Sequence, residues 1–300
     1  MYVLSDKQLN PPGYLSYMPP NLKSKLLSIP QEDLLEIRLR RNKPVILHYT
    51  YGRFYLGEDC TITTSRERAL IATHHDISHA LETAFEFSFY AHEDELSEGF
   101  ITIKGGHRIG ICGEYRFGKF RSLTDITSLN YRIAHEHIGM SDYVKQDIIH
   151  NNTINNTLII SPPMCGKTSL IRDLARAVSL SGFKVGVCDT RSEIAAVYDG
   201  TPYLDTGDAD IISGISKADG INILLRTMSP DVIICDEIGT REDITAVSNA
   251  LGCGLGIIAT AHSASRDELK KHPFLSEIVP RFNVIITLEG IGKIKEVYYA

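Results

Sequence analysis

No apolar run in this sequence approaches the roughly 20 residues that a membrane-spanning helix requires. The opening Met1-Tyr-Val-Leu-Ser-Asp-Lys-Gln also lacks the charged start and apolar stretch of a secretory signal. These absences give the expectation of a cytoplasmic chain with no transmembrane segment of its own. Cysteine pairs spaced as CxxC are missing too. The cysteines stand apart at 60, 112, 165, 188, 235 and 253, so neither a zinc site nor a disulfide framework is expected. Cys112, Cys188 and Cys235 fall within apolar runs and read as reduced core residues. Net positive charge is lacking as well. At −6, with a pI near 6.0, the chain has no global basic field, which disfavours nucleic acid as a partner bound by bulk electrostatics. Internal repeats and low-complexity tracts are absent.

What is present suits a folded protein of two domains. The chain has 300 residues, 43% hydrophobic and 23% charged, enough to bury a full core. Residues 35–40, 45–49 and 54–57 read as strands. Residues 76–85 read as a helix with Asp76 as N-cap and apolar positions at 77, 80, 81, 84 and 85. Strand patterns return at 99–104, 107–117 and 128–134, and the glycine-dense stretch from Gly105 to Gly113 reads as a tight hairpin. A short helix at 143–149 follows. Beyond it, strand patterns at 157–160, 184–188, 232–235 and 254–260 alternate with helical ones, the mark of a largely parallel sheet covered on both faces. A terminal hairpin is expected from 283–288 and 293–299. The expected organisation is an N-terminal α+β domain over 1–135, for oligomerisation or partner docking, and an α/β domain of P-loop NTPase type over 136–300, with a RecA/AAA-like three-layer build.

The decisive stretch runs from Leu158 to Arg176 as strand, loop and helix. Against the pattern G-x-x-x-x-G-K-[ST], Ser161 stands in place of the first glycine, while Gly166, Lys167 and Thr168 fit the rest. A serine adopts the required turn less freely than glycine, so an altered loop is expected there. Ser161, Pro162, Pro163, Met164, Cys165, Gly166, Lys167, Thr168 and Ser169 are the expected nucleotide-binding residues. Gly166 lets main-chain amides curl around phosphate oxygens, and the following helix aims its unpaired N–H groups at the anion. Lys167 supplies charge to the β and γ phosphates of ATP, and Thr168 offers a hydroxyl to Mg²⁺.

A second element, Asp231 to Gly239, is an apolar strand ending in two carboxylates. Asp236 is the expected metal ligand and Glu237 the residue that orients or deprotonates the attacking water. Asp189, Arg191 and Glu193 lie just past the strand that follows the phosphate-loop helix. His262 lies just past the strand after Glu237, either as a γ-phosphate sensor or as an ordinary loop histidine. Pairs of histidines at 75 and 79, and at 135 and 137, lack the further ligands of a metal site.

Taken together these residues resemble the secretion-ATPase branch of P-loop ATPases, the motors of type II and type IV secretion and of pili. Gly106-His-Arg-Ile-Gly-Ile-Cys-Gly, Ser128-Leu-Asn-Tyr-Arg-Ile-Ala, Asp189-Thr-Arg-Ser-Glu-Ile-Ala and the stretch Arg226 to Gly239 are similar, in order and spacing, to the stage III sporulation protein AA family. The resemblance extends from about residue 33 almost to the end. The resemblance implies a Mg²⁺-dependent ATPase that forms hexamers and docks on membrane proteins of a secretion-like channel between mother cell and forespore. Carried over, Lys167 and Thr168 would bind nucleotide and Mg²⁺, Asp236 the metal, Glu237 the water, and His262 would sense the γ-phosphate. Thr190, where the family has Glu, and Met164, where Gly or a polar residue is usual, are departures.

Ring motors complete a site with an arginine from a neighbouring subunit. Arg191, Arg226, Arg108 and Arg132 are candidates, with Arg191 the favoured catalytic arginine. Two other readings stay open. One is a nucleic-acid remodelling ATPase whose first domain binds a strand through Arg38, Arg40, Arg41 and Lys43, near Tyr49, Tyr51, Phe54 and Tyr55. The other is a nucleotide-gated scaffold without turnover, suggested by Ser161.

Overall fold

Alternation of apolar and charged residues shapes the first half of the chain. In Leu34–Arg40 (β1), Ile37 and Leu39 are buried while Arg38 points outward, the two-residue period of a strand with one covered face. The computed structural model describes residues 12–85, 99–117, 121–163 and 165–300. These fall into two compact units divided between His135 and Glu136.

The first unit is built on a seven-stranded sheet. Its strands are β1, Ile46–Tyr49 (β2), Gly52–Leu56 (β3), Ile62–Thr63 (β4), Phe100–Ile103 (β5), His107–Phe117 (β6) and Arg121–Arg132 (β7). Their order is β4-β3-β2-β1-β7-β6-β5, with every neighbouring pair antiparallel. One face carries Ile37, Leu47, Ile101, Ile109, Leu129 and Tyr131 into a core shared with Leu22 and Leu26 of Pro20–Leu26 (α1) and with Ile77, Ala80 and Leu81 of His74–Ala84 (α2). The expected hairpin at the glycine-dense stretch is present: Ile103 pairs with His107, and Gly105 and Gly106 turn the chain at φ 93° and 73°, a region open to glycine at no steric cost.

Two sequence expectations need correction here. The helix starts two residues before Asp76, and its N-cap is Thr73. Thr73 Oγ1 accepts the Asp76 N–H at 3.1 Å while the Asp76 carboxylate accepts the Thr73 N–H at 2.7 Å, a reciprocal box that places the acid at the third helical position. Cys112 is exposed. It follows Ile109 and Ile111 in β6, and the strand period puts it on the opposite face from those buried residues.

The second unit has three layers. Its sheet consists of Thr157–Ser161 (β8), Val185–Asp189 (β9), Asp210–Ser213 (β10), Val232–Cys235 (β11), Gly256–His262 (β12), Val284–Gly290 (β13) and Lys293–Tyr299 (β14). The order is β10-β9-β11-β12-β8-β13-β14, parallel except for the terminal β13–β14 hairpin. Helix Lys167–Ser179 (α3) packs Leu170, Ile171 and Leu174 on one face, against Ile159, Val187 and Ile234. Helices Lys217–Thr227 (α4) and Arg241–Gly252 (α5) pack Leu224 and Val247 on the other, against Ile160, Ile233 and Cys235. Burial on both faces accounts for the unbroken apolar runs in the sequence. The edge strand β10, only four residues long and partly exposed, was not among the expected strands.

His107 is the buried titratable group whose environment bears most directly on the first unit. It points inward with Ile109 and Ile111, packs edge-on against Tyr14 at 5.3 Å, and its Nδ1 accepts the Ala134 N–H at 3.0 Å. Burial, with a smaller push from His135, lowers its pKa from the ordinary 6.5 to about 4. The neutral form is therefore favoured in the folded chain. Its contribution to stability is complete above pH 6.5 and is lost as pH falls toward 4. For a shift of that size the loss amounts to about 3 kcal/mol. Chemical denaturation of the wild type and of His107→Asn across pH 4 to 7 checks this: the difference between the two curves should vary by that order, and parallel curves would contradict it.

Candidate functional site

The loop that joins β8 to α3 is fixed at both ends. Ser161 closes β8, fully buried and in register with His262 of β12. It is absent from the left-handed backbone positions among the described residues, so serine carries no turn penalty there and the expected strain at this position is not found. Gly166 caps α3 at φ 86° and ψ 17°. A Cβ on it would lie 3.1 Å from both Ile291 Cα and Met140 Cε, so backbone conformation and close approach both demand glycine. Met164 lies outside the described residues.

Lys167, the first residue of α3, turns its buried side chain back toward the strand ends. Its Nζ lies 3.0 Å from Ser161 O, 3.1 Å from Ser161 Oγ, 3.3 Å from Pro162 O and 3.2 Å from His262 Nδ1. Burial lowers its pKa, opposed by Glu237 and Cys165. An ammonium group can only donate, so His262 Nδ1 accepts and its Nε2 carries the ring proton. That Nε2 lies 3.0 Å from Glu237 Oε2. The sheet order explains the bridge: β12 runs between β8 and β11, and His262 ends β12 between the lysine and the glutamate.

Asp236 follows β11 directly. Lys217, the first residue of α4, places its ammonium 2.9 Å from Asp236 Oδ1 and also donates to Glu237 O. Apart from that ion pair, Asp236 Oδ1 is buried and accepts no hydrogen bond. Burial pushes the Asp236 pKa above the ordinary carboxylate value, with Lys217 pulling the other way. For Lys217, burial acts to lower the pKa, and Asp236 together with Cys235 and Asp243 outweighs it, holding the ammonium above its ordinary value. The sequence reading missed Lys217. One signal was available: a cation on the first turn of a helix opposes the helix dipole, so it calls for an acidic partner.

Asp189, fully buried at the end of β9, accepts the N–H groups of Glu193, Ile194 and Ala195 at 2.8, 3.0 and 2.8 Å. Arg172 of α3 donates through Nε to Ile194 O at 2.5 Å and through Nη2 to Glu193 O at 2.6 Å. Asp189 and Arg172 thus hold the 190–196 loop from its two polar ends, and Arg191 is exposed on that loop. Asp173, next to Arg172, accepts the Ser141 N–H and hydroxyl, each at 2.7 Å, which ties the segment bearing Met140 to α3.

The donor set suits a hard divalent cation. Asp236 supplies a buried carboxylate whose Oδ1 meets the Lys217 ammonium and accepts from no other group, and carboxylate oxygens, together with the Thr168 hydroxyl, match the preference of Mg²⁺. The structure therefore brings Lys167, Asp236, Glu237 and His262 to one set of strand ends and adds Lys217.

A family model described as sporulation stage III, protein AA, matches residues 22–299. The chain belongs to this family. Within the stage III sporulation protein AA family, the Bacillus subtilis (strain 168) protein is 35% identical over 297 residues, covering 94% of this chain and 92% of that protein. Among solved structures, the ATPase DotB of Legionella pneumophila matches with a TM-score of 0.55 at 16% identity, over 85% of this chain and 72% of that one. The pilus retraction motor PilT with bound ADP matches with a TM-score of 0.58 at 15% identity, over 89% and 78%. At these identities the likeness is one of fold, and this member of the sporulation family has the α/β P-loop fold of secretion-type ATPases.

The Lys217 pair yields a prediction in this sporulation-family chain that needs no ligand. In Lys217→Met the Asp236 carboxylate loses the charge that opposes its burial, so it should titrate at a higher pH than in the wild type. The carboxyl carbon shift of Asp236 followed by NMR reports this. Lys184→Met, at an exposed pair with Asp231, should leave it unmoved, and an unchanged Asp236 titration in Lys217→Met would refute the assignment.

Proposed function

We propose that the second unit binds Mg²⁺ and ATP across the carboxyl ends of β8, β11 and β12 and hydrolyses the γ-phosphate. The observation that supports this best is the line of contacts Lys167–His262–Glu237, at 3.2 and 3.0 Å, next to the buried Asp236 carboxylate that Lys217 neutralises. Ligands of open α/β sheets gather at these strand ends.

In this reading Lys167 delivers its ammonium to the β and γ phosphates, and the amides of the loop from Ser161 to Ser169 cradle them. Thr168 and Asp236 hold Mg²⁺, which when bound neutralises charge developing on the phosphate oxygens. Glu237 orients the attacking water and accepts its proton. His262, holding Lys167 through Nδ1 and Glu237 through Nε2, is placed to register whether the lysine is engaged by phosphate. Arg191 is proposed as the arginine offered to a neighbouring subunit's site.

Ring assembly, as a hexamer, and service to a secretion-like channel between mother cell and forespore are part of the same proposal. They are supported by family membership and by fold likeness to DotB and the PilT motor. No helix among the described residues is long and apolar enough to cross a membrane. Association with a membrane would accordingly run through partner proteins on the mother-cell side.

Phosphate release by the purified chain, measured with Mg²⁺ over a range of protein concentrations, tests the reading. Turnover per chain should rise with concentration as subunits complete one another's sites. Lys167→Ala and Glu237→Gln should each lower it by about 100-fold or more, equal to about 2.7 kcal/mol of barrier. Turnover in Glu237→Gln equal to that of the wild type would remove the hydrolytic assignment.

A further inference from the structure

A cavity of about 370 Å³ in the first unit is lined by Arg40, Lys43, Pro44, Arg53, Tyr55 and Arg66. Four of its six lining residues are cations and none is an acid. Strand register explains the convergence. Arg53 pairs with His48, Tyr55 with Ile46, and Arg38 with Ile46, which puts the side chains of Arg38, Arg40, Arg53 and Tyr55 on the face of the sheet opposite the buried core. Lys43 and Pro44 are held at the end of β1 by antiparallel pairing with Ala72 and Ile71.

Two carboxylates of this unit are paired with other cations. Glu36 pairs with Arg38 at 3.0 Å, and Asp59 pairs with Arg68 at 2.8 Å. Among the described residues no carboxylate forms an ion pair with Arg40, Lys43, Arg53 or Arg66. Arg40 Nε is buried and donates to no partner. Arg53 lies 5.4 Å from the centre of the Tyr55 ring, which helps set one wall. The positive field is felt next door: the His48 pKa is lowered by burial and further by Arg38, Arg53 and Arg40, against the pull of Glu36.

We propose that this cavity is a binding site for a phosphate-class polyanion, held by Arg40, Lys43, Arg53 and Arg66. Like charges gathered in a concave site repel one another and concentrate a counter-anion. Guanidinium groups, with their planar forks, match phosphate oxygens two at a time. The volume lies in the range of small-molecule sites. A nucleic-acid strand would call for a longer track with several stacking aromatics, and Tyr55 is the sole aromatic lining the cavity. Two sources share this chemistry, a free phosphorylated metabolite and the headgroup of an anionic phospholipid.

Titration calorimetry of the full-length chain with pyrophosphate, in about 0.1 M salt, tests the proposal. The phosphate loop of the second unit is another potential anion site, so binding is measured in the Lys167→Ala background. There the chain should still bind pyrophosphate, and adding Arg53→Gln and Arg66→Gln should weaken that binding by roughly tenfold or more. Both residues are exposed, and far-ultraviolet circular dichroism checks that the fold is kept. Lys43→Gln alone should weaken it less, and Arg68→Gln, already paired with Asp59, should leave it unchanged. Sedimentation with phosphatidylglycerol vesicles, against phosphatidylcholine vesicles, separates the sources. Vesicle binding that Arg53→Gln/Arg66→Gln abolishes assigns a lipid headgroup, and pyrophosphate binding without vesicle binding assigns a free phosphate compound. The proposal is overturned if Lys167→Ala alone eliminates pyrophosphate binding, if the double substitution leaves binding intact, or if poly-glutamate binds where pyrophosphate does not. None of these outcomes bears on hydrolysis in the second unit.

Discussion

A buried ammonium group governs the second unit. Removing a charge from water costs several kcal/mol unless other groups replace the lost hydration, and Lys167 is placed where a strand ends and a helix begins. Its partners are Ser161 O, Ser161 Oγ, Pro162 O and His262 Nδ1. Three of these belong to the residues that open the phosphate loop, so the conformation of the loop and the solvation of the lysine are one problem. Ser161 contributes both its carbonyl and its hydroxyl. That gives a physical role to a serine where glycine was expected.

The same logic repeats on the far side of β12 with the signs exchanged. Asp236 is a carboxylate kept from water, and Lys217 supplies the charge beside it. His262 and Glu237 join the two arrangements, since the imidazole accepts from Lys167 and faces the carboxylate of Glu237. Each of these contacts crosses the boundary between neighbouring strand ends. A disturbance at one is therefore coupled to the others through short polar contacts, while α3, α4 and α5 fix the backbone positions from the two faces of the sheet.

Much of this was legible in the sequence, for reasons that differ by element. Parallel strands buried on both faces leave continuous apolar runs, so β8, β9, β11 and β12 stood out, as did the stripe of α3. Gly166, Lys167, Asp236 and Glu237 were legible because their spacing is tied to a strand-loop-helix and a strand-end geometry. His262 was expected just past its strand and is instead the last residue of β12, which runs two residues further; its contacts with both Lys167 and Glu237 required the strand order, which no local pattern records. Lys217 escaped because its partner is distant in sequence. Asp76 was misread as a cap because a capping box has acids and hydroxyls at both ends, and Cys112 was misread because an apolar run in a one-faced sheet does not say which residues point inward. The cationic cavity of the first unit needed the register of β1, β2 and β3 together with the short pairing of Lys43 to Ala72.

The central claim is that Lys167 exchanges its internal acceptors for phosphate. A crystal structure of the chain with Mg²⁺ and a non-hydrolysable ATP analogue tests it most directly. The account predicts Lys167 Nζ within hydrogen-bond distance of a phosphate oxygen, with its contacts to Pro162 O and His262 Nδ1 broken and the metal on the Asp236 side. A structure in which the analogue is bound while Lys167 keeps all four of its present partners would contradict it.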